Sequence, residues 1–143
     1  MNYIERIRTM GSEANPFFLL MGIEVETIGE GDASIRMPVR ADMMNGEEWL
    51  QGGIFTALAD EAMVLAIYTL LDPDETIATI TETTTFMSGA RTGATLHAIG
   101  RVVKKGKRVA FAEGEVYLGS PGSSTLLSRT SAAFAVGRSR KGS

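Results

Sequence analysis

The stretch from Asn45 to Leu71 reads NGEEWLQGGIFTALADEAMVLAIYTLL, and it holds the residues best suited to chemistry. Asp60 and Glu61 stand side by side inside an apolar run, where a carboxylate is costly to bury. Gly52 and Gly53 stand where that run begins, and paired glycines let backbone come close to a ligand. In a helix, the N–H groups of the first turn have no intrahelical partner and lie at the positive end of the dipole. Such groups can hold a developing oxyanion. A carboxylate nearby could serve as general base or nucleophile. The combination points to attack on a carbonyl.

At 100° per residue, Thr56, Asp60, Met63 and Ile67 share one stripe of the helix. Ile54, Leu58, Glu61, Leu65 and Tyr68 share another. The two acids diverge by about 100° and cannot form a close dyad with each other. Asp60 is the first choice for the chemistry and Glu61 the second, with Glu61 free to pair across an interface. Gly52 and Asp60 lie roughly 12 Å apart along one helix, too far to act on one carbonyl. That distance suggests a site shared between two copies of the chain.

Composition narrows the alternatives. The chain has 143 residues, enough for one domain with one core. Its net charge of −3 gives no sign of a nucleic-acid binder. It has no cysteine and a single histidine, His97, so thiolate chemistry and a multi-histidine metal centre are excluded. The N-terminus lacks the apolar core of a secretory signal, so a cytoplasmic protein is expected. Asp60 and Glu61 argue against a membrane span over Ile54–Leu71, since charge at a bilayer centre is expensive.

These residues need elements to hold them. Apolar Tyr3, Ile4, Ile7 and Met10 mark a short amphipathic helix within residues 1–14. Asn15 and Pro16 suit the cap and first position of another turn, which Gly22 stops. Ile23–Ile28 and Ala33–Val39 alternate like strands on either side of a Gly29–Asp32 turn. Ala41–Leu50 reads as loop and about Gln51–Leu71 as the long helix, closed by Asp72-Pro73-Asp74. Four β-rich runs follow: Thr76–Met87, Ala94–Val103, Arg108–Leu118 and Thr125–Val136. Turns are expected at Ser88–Gly93, Lys104–Lys107 and Gly119–Ser123, and a disordered tail over 137–143. Consecutive strands on tight turns predict an antiparallel meander. The helix is apolar nearly all round, which asks for a sheet curled about it or a second subunit.

At this point the sequence resembles the hotdog-fold acyl-CoA thioesterases, in particular the phenylacetate-pathway branch. The resemblance is carried by Asn45, then Gln51-Gly52-Gly53, then Leu58-Ala59-Asp60-Glu61-Ala62. The downstream run TITETTTFMSGARTGATLHAIGRVVKKGKRVAFAEGEVY has the same layout, and the likeness covers about Asn15 to Val136. It implies an α+β fold, with a long central helix wrapped by a curved antiparallel sheet of about six strands. It also implies one domain over residues 1–143, paired into homodimers with shared active sites and further into homotetramers.

By position, the resemblance makes Asp60 the catalytic carboxylate and the Gly52 N–H the group that polarises a thioester carbonyl. Asn45 would hold the substrate or the attacking water. The family usually has His where this chain has Gln51. Gln keeps a positioning role but cannot titrate near neutral pH. Gly53, Met63, Val64, Phe86, Met87 and Ser88 are expected around the acyl group. Arg91, Lys105, Lys107 and Arg108 are expected at the coenzyme A phosphates, although lysines at a hairpin tip are more often a solvated turn. No metal or cofactor is implied beyond coenzyme A as part of the substrate, and no nucleic-acid or membrane partner. Thioester hydrolysis is the leading function. A non-catalytic acyl-CoA binder is the first alternative, because of Gln51. A hotdog dehydratase or hydratase is the second, though it would need a histidine near the helix start. His97 reads as a surface or interface residue, and Trp49 as packing at a dimer seam.

Overall fold

The first helix opens on a capping box that the sequence encodes locally. In the computed structural model, which describes residues 1–119 and 125–139, Asn2 and Glu5 exchange side-chain and backbone hydrogen bonds at 3.0 and 3.1 Å. This starts α1 (Tyr3–Met10), which a 3₁₀ turn over Gly11–Ala14 follows. Asn15 then caps α2 (Pro16–Met21) by accepting from the N–H groups of Phe17 and Phe18. Pro16 takes the first turn, and left-handed Gly22 (φ 72°) ends it.

A hairpin of β1 (Glu24–Ile28) and β2 (Asp32–Pro38) leads to α3 (Gly52–Tyr68), through a loop held by a Met44–Leu50 bridge. The helix stops short of the expected Leu71. Thr69 turns the chain: its hydroxyl donates to the Ala66 carbonyl and accepts from the Gly31 N–H, both at 2.7 Å. The apolar Leu70 and Leu71 belong to the turn beyond. Four strands follow, β3 (Glu75–Phe86), β4 (Thr95–Lys105), β5 (Val109–Leu118) and β6 (Thr125–Arg138).

The six strands form one curved antiparallel sheet in the order β1-β2-β4-β5-β6-β3. The simple meander expected from the sequence is corrected here: β4-β5-β6 is a meander, but β3 pairs with β6 at the far edge and not with β4. The short α3–β3 turn sets β3 down beside the helix. The segment after Phe86 then crosses the end of the sheet to β4, tied by Leu50 N–H to the Ala90 carbonyl and Val39 N–H to the Ala94 carbonyl. The tail is corrected as well. Gly137 and Arg138 are part of β6, paired with Thr76 and Glu75, and Ser139 N–H donates to the Asp74 carbonyl. The rest of the tail, and most of the Gly119–Ser123 turn, lie outside the described residues.

The core forms where α3 lies in the hollow of the sheet. Phe55, Leu58, Ala59, Ala62, Met63, Leu65, Ala66 and Ile67 are buried against Ile35, Met37, Leu96, Val116, Leu127 and Phe134. Gly100 on β4 pairs with Gly114 on β5, directly beneath the helix. A Cβ at Gly100 would lie 2.3 Å from the backbone carbonyl of Ala62, and one at Gly114 would lie 2.9 Å from the Ala59 Cβ. The bare pair is what lets the helix backbone touch the sheet.

One flank of α3 is tied to the N-terminal helices. Asn15 Nδ2 donates to Glu61 Oε2 at 3.2 Å and to the Tyr3 hydroxyl at 2.8 Å. Burial, then the charge of Asp60, pushes the Glu61 carboxyl up to about 7, while the Asn15 bond partly opposes the shift. Its expected partner across an interface is thus replaced, within this chain, by Asn15.

Two outcomes follow from this packing. Gly100→Ala should lower unfolding free energy by on the order of 1–3 kcal/mol, since the obstacle is helix backbone and not a side chain that can swing away; urea titration of both proteins measures it. Glu61 should make stability pH-dependent. A carboxyl raised in the folded state contributes most below its unfolded value near 4.5 and loses that contribution as pH climbs through about 7. The Tm should therefore fall between pH 5.5 and 8, and Glu61→Gln should flatten that fall in thermal melts.

Candidate active site

The residues singled out in the sequence fall into two groups along α3. The first surrounds the helix start. Gln51 is the N-cap residue but its side chain makes no capping hydrogen bond, and it is exposed. The N–H groups of Gly52 and Gly53 therefore begin the helix without an intrahelical or side-chain acceptor. The ring of Phe86, at the end of β3, covers Gly52 at 3.5 Å from where a Cβ would be, and packs edge-on against Phe55. Asn45 lies in the exposed loop before the helix. Its Oδ1 accepts from the N–H groups of Glu47 and Trp49, so the side chain first serves to shape that loop. Trp49 packs on Gly89 and carries the Arg91 guanidinium 3.7 Å above its ring. Met87 and Ser88 follow Phe86 at the surface, both held by the Leu127 carbonyl.

A cavity of about 440 Å³ opens beside this end, lined by Phe17, Leu20, Met21, Gly53, Ile54 and Ala57 among others. It is the apolar space nearest the free N–H groups, and sequence reasoning missed its walls from α2. A larger cavity of about 650 Å³ lies at the other end of the helix, against Tyr3, Tyr68 and Glu75.

The second group lies at mid-helix. Asp60 is half-buried, and Thr79 on β3 donates to its Oδ1 at 3.4 Å. A β-bulge in β3 decides what else reaches it. Between Thr79 and Thr81 the register against β6 slips, with Phe134 and Ala133 as their partners. Before the bulge the odd-numbered Glu75 and Ile77 turn inward; after it the even-numbered Glu82 and Thr84 do. Thr84 then joins a chain of hydroxyls from Thr56 on α3 to Thr130 on β6, at 2.9 and 2.8 Å. Glu82 arrives beside Asp60. Its carboxyl is pushed up to about 8, first by burial, then by the neighbouring Asp60 carboxyl. Its Oε2 is buried with no donor. Sequence reasoning passed over Glu82; the available signal was a lone acid in a Thr- and Ile-rich strand.

Other expected site residues are placed elsewhere. Met63 is fully buried in the protomer core and presents no surface to an acyl group, which corrects its assignment; Val64 beside it is half-buried. Lys105 is corrected from a phosphate ligand to a structural cation, bonded to both oxygens of buried Glu75 at 3.1 and 3.2 Å. The Asp72 backbone N–H and then Lys105 hold that carboxyl below its usual range. Lys107 and Arg108 are exposed near this end, where Val136 N–H donates to the Arg108 carbonyl. They stand at the far end of α3 from Arg91, so one protomer does not gather the four expected cations. His97 pairs with Glu26 at 2.6 Å, away from both groups. No cluster of potential metal ligands occurs among the described residues, and no described helix is long and apolar enough to cross a membrane.

The geometry is that of a hotdog protomer, with free N–H groups at the helix start and a carboxyl at mid-helix. Known structures share the architecture. The TT0310 protein of Thermus thermophilus is 25% identical, with a TM-score of 0.76 over 85% of this chain and 97% of that one. A thioesterase family protein from Silicibacter pomeroyi superposes with a TM-score of 0.85 at 19% identity, covering 96% of this chain and all of that one. The PaaI protein from the phenylacetic acid degradation operon of E. coli gives 0.80 at 22% identity, covering 96% and 94%. No curated protein sequence matches the chain. The sequence pattern of the Thioesterase superfamily matches residues 50–125, from the residue before Gln51 to the start of β6. With Gly52, Gly53, Asp60 and Glu82 all inside that match, the chain belongs to the Thioesterase superfamily and is by class a thioester hydrolase.

Proposed function

We propose that the chain hydrolyses acyl-CoA thioesters at a site shared between two copies, with Asp60 of one copy facing the start of α3 in the other. The observation that carries this reading is Asp60 itself: a half-buried acid at mid-helix, inside the superfamily match, with no cation bonded to it among the described residues. The thioester oxygen accepts from the Gly52 N–H, aided by the helix dipole. Asp60 takes a proton from water as that water adds to the carbonyl, and returns it to the departing thiolate. Direct attack by Asp60 would instead pass through a mixed anhydride. Gln51 and Asn45 position substrate or water.

The shared site needs a dimer, and β3 is suited to make one. It is a terminal strand of the sheet, and Ile80, Phe86 and Met87 are 57%, 54% and 48% exposed. A long edge strand of this kind is a template for pairing with another chain. The acyl group occupies the apolar cavity lined by Gly53, Ile54 and Ala57, and Val64, Phe86, Met87 and Ser88 reach it from a second copy. An aryl or a short- to medium-chain acyl group suits those walls, and the likeness to PaaI favours aryl. Arg91 is the cation at the right end for coenzyme A phosphates, with Lys107 and Arg108 available from a second copy.

The alternative, an acyl-CoA binder without turnover, is favoured by one observation: Gln51 puts no titrating group at the helix start. Thiol release from phenylacetyl-CoA, acetyl-CoA and hexanoyl-CoA separates the two readings. Asp60→Asn should lose at least about 100-fold in kcat/KM, and Glu61→Gln less than tenfold. Equal rates for Asp60→Asn and wild type would remove the catalytic assignment, and binding without thiol release would favour the binder. In light scattering the wild type should run as a dimer or tetramer. Ile80→Lys should shift it toward single chains and lower activity with it; a fully active single chain would end the shared-site reading.

A further inference from the structure

We propose that Glu82 is the positioning residue for Asp60, and that the working form of the pair carries one shared proton. The inference rests on the reading of Asp60 given above and adds to it the state in which that acid works.

Three observations support it. The bulge between Thr79 and Thr81 turns Glu82 toward α3, where strict alternation from Glu75, Ile77 and Thr79 would have turned it away. Glu82 Oε2 is buried without a donor. The contacts of Thr79 with Asp60 and of Thr84 with Thr56 bracket Glu82 against the same flank of α3, so its carboxyl faces that of Asp60, and two carboxylates cannot bond each other because both only accept. A buried carboxyl oxygen without a donor disfavours the charged form, and Glu82, raised to about 8 by burial and by Asp60, keeps its proton at neutral pH.

No cation among the described residues meets the pair, and the one other acid that feels Asp60 is Glu61. From α3 come Asp60 and the next residue, Glu61, which bonds Asn15. Across the ladder on β6 stands Ala132. The cations of β6 are engaged elsewhere, Arg129 with Glu115 and Arg138 with Asp72 and Asp74. The pair therefore has one favourable arrangement near neutrality: protonated Glu82 donates to the Asp60 carboxyl and fixes its plane. Thr79 bonds Asp60 Oδ1 as well. When water attacks, its proton moves to Asp60 and later to the thiolate, while the Glu82 proton stays in place. Above about pH 8 Glu82 ionises and can no longer donate to the Asp60 carboxyl.

The test is the pH profile of kcat from pH 6 to 9.5, with phenylacetyl-CoA and hexanoyl-CoA as probes and Asp60→Asn as background. Wild type should fall on the alkaline side with a midpoint near 8. Glu82→Gln keeps a donor at every pH, so it should hold its neutral-pH kcat within about threefold and lose the alkaline fall. Glu82→Leu removes the donor and should lose between about tenfold and a hundredfold at all pH values. Glu61→Gln should leave the alkaline fall in place. A wild-type profile flat from pH 7 to 9.5 overturns the proposal whether or not the variants fold. So does a Glu82→Gln profile that keeps the wild-type fall. Either result with an inactive Asp60→Asn rejects the role of Glu82 alone; an active Asp60→Asn rejects the earlier reading.

Discussion

The contact of a helix backbone with two facing glycines governs the arrangement of this protein. Gly100 and Gly114 leave room for Ala59 and Ala62 to rest on the sheet without intervening side chains. That depth sets where the flanks of α3 come to lie. With small residues at the bottom of the helix, the neighbouring positions Asp60 and Glu61 sit at the rim, close to other elements and partly shielded from water. Asp60 comes up against β3, and Glu61 against the Asn15 cap of α2. A shallower helix would leave both in solvent as ordinary surface acids.

The acids of this chain divide by what faces them. Glu115 and Glu75 are buried, but each is met by cations. Burial would raise Glu115, yet Arg129, Tyr117 and Arg101 hold it low, and Glu75 is held low by the Asp72 N–H and Lys105. These are structural groups whose charge is compensated. Glu61 and Glu82 meet only an amide, or another acid, and both are raised. Uncompensated acids on two neighbouring flanks of one helix are unfavourable for stability, and a site of reaction is a common reason a fold retains them. The hydroxyl chain Thr56–Thr84–Thr130 holds β3 in place at the helix, so Asp60 and Glu82 do not relax apart.

Much of this was legible along the chain. Asn2, Asn15, Pro16 and Gly22 mark the ends of the first two helices because capping and left-handed turns are local matters. The apolar run after Gly52 identified α3, and its excess hydrophobicity called for a curled sheet. Asp60 stood out for the same local reason, an acid where apolar residues surround it. The pairing of β3 with β6 was not legible, because β3 and β4 are also neighbours in sequence and nothing in either strand names its partner. The end of α3 was misjudged because Leu70 and Leu71 continue the apolar pattern, whereas Thr69 closes the helix through a bond to distant Gly31.

The roles of individual charges divide along the same line. Residue type determined that Asp60 can act as a base, that Gly52 can offer an unhindered N–H, and that Gln51 cannot carry a titrating proton. Those properties belong to single residues and their near neighbours. Only the tertiary structure decided that Lys105 neutralises Glu75, that Met63 is sealed in the core, and that Glu82 reaches Asp60. A bulge moves a side chain from one face of a strand to the other, and an ion pair depends on which strands are adjacent. Both are set by contacts between segments far apart in the chain, and no local pattern of residues encodes them.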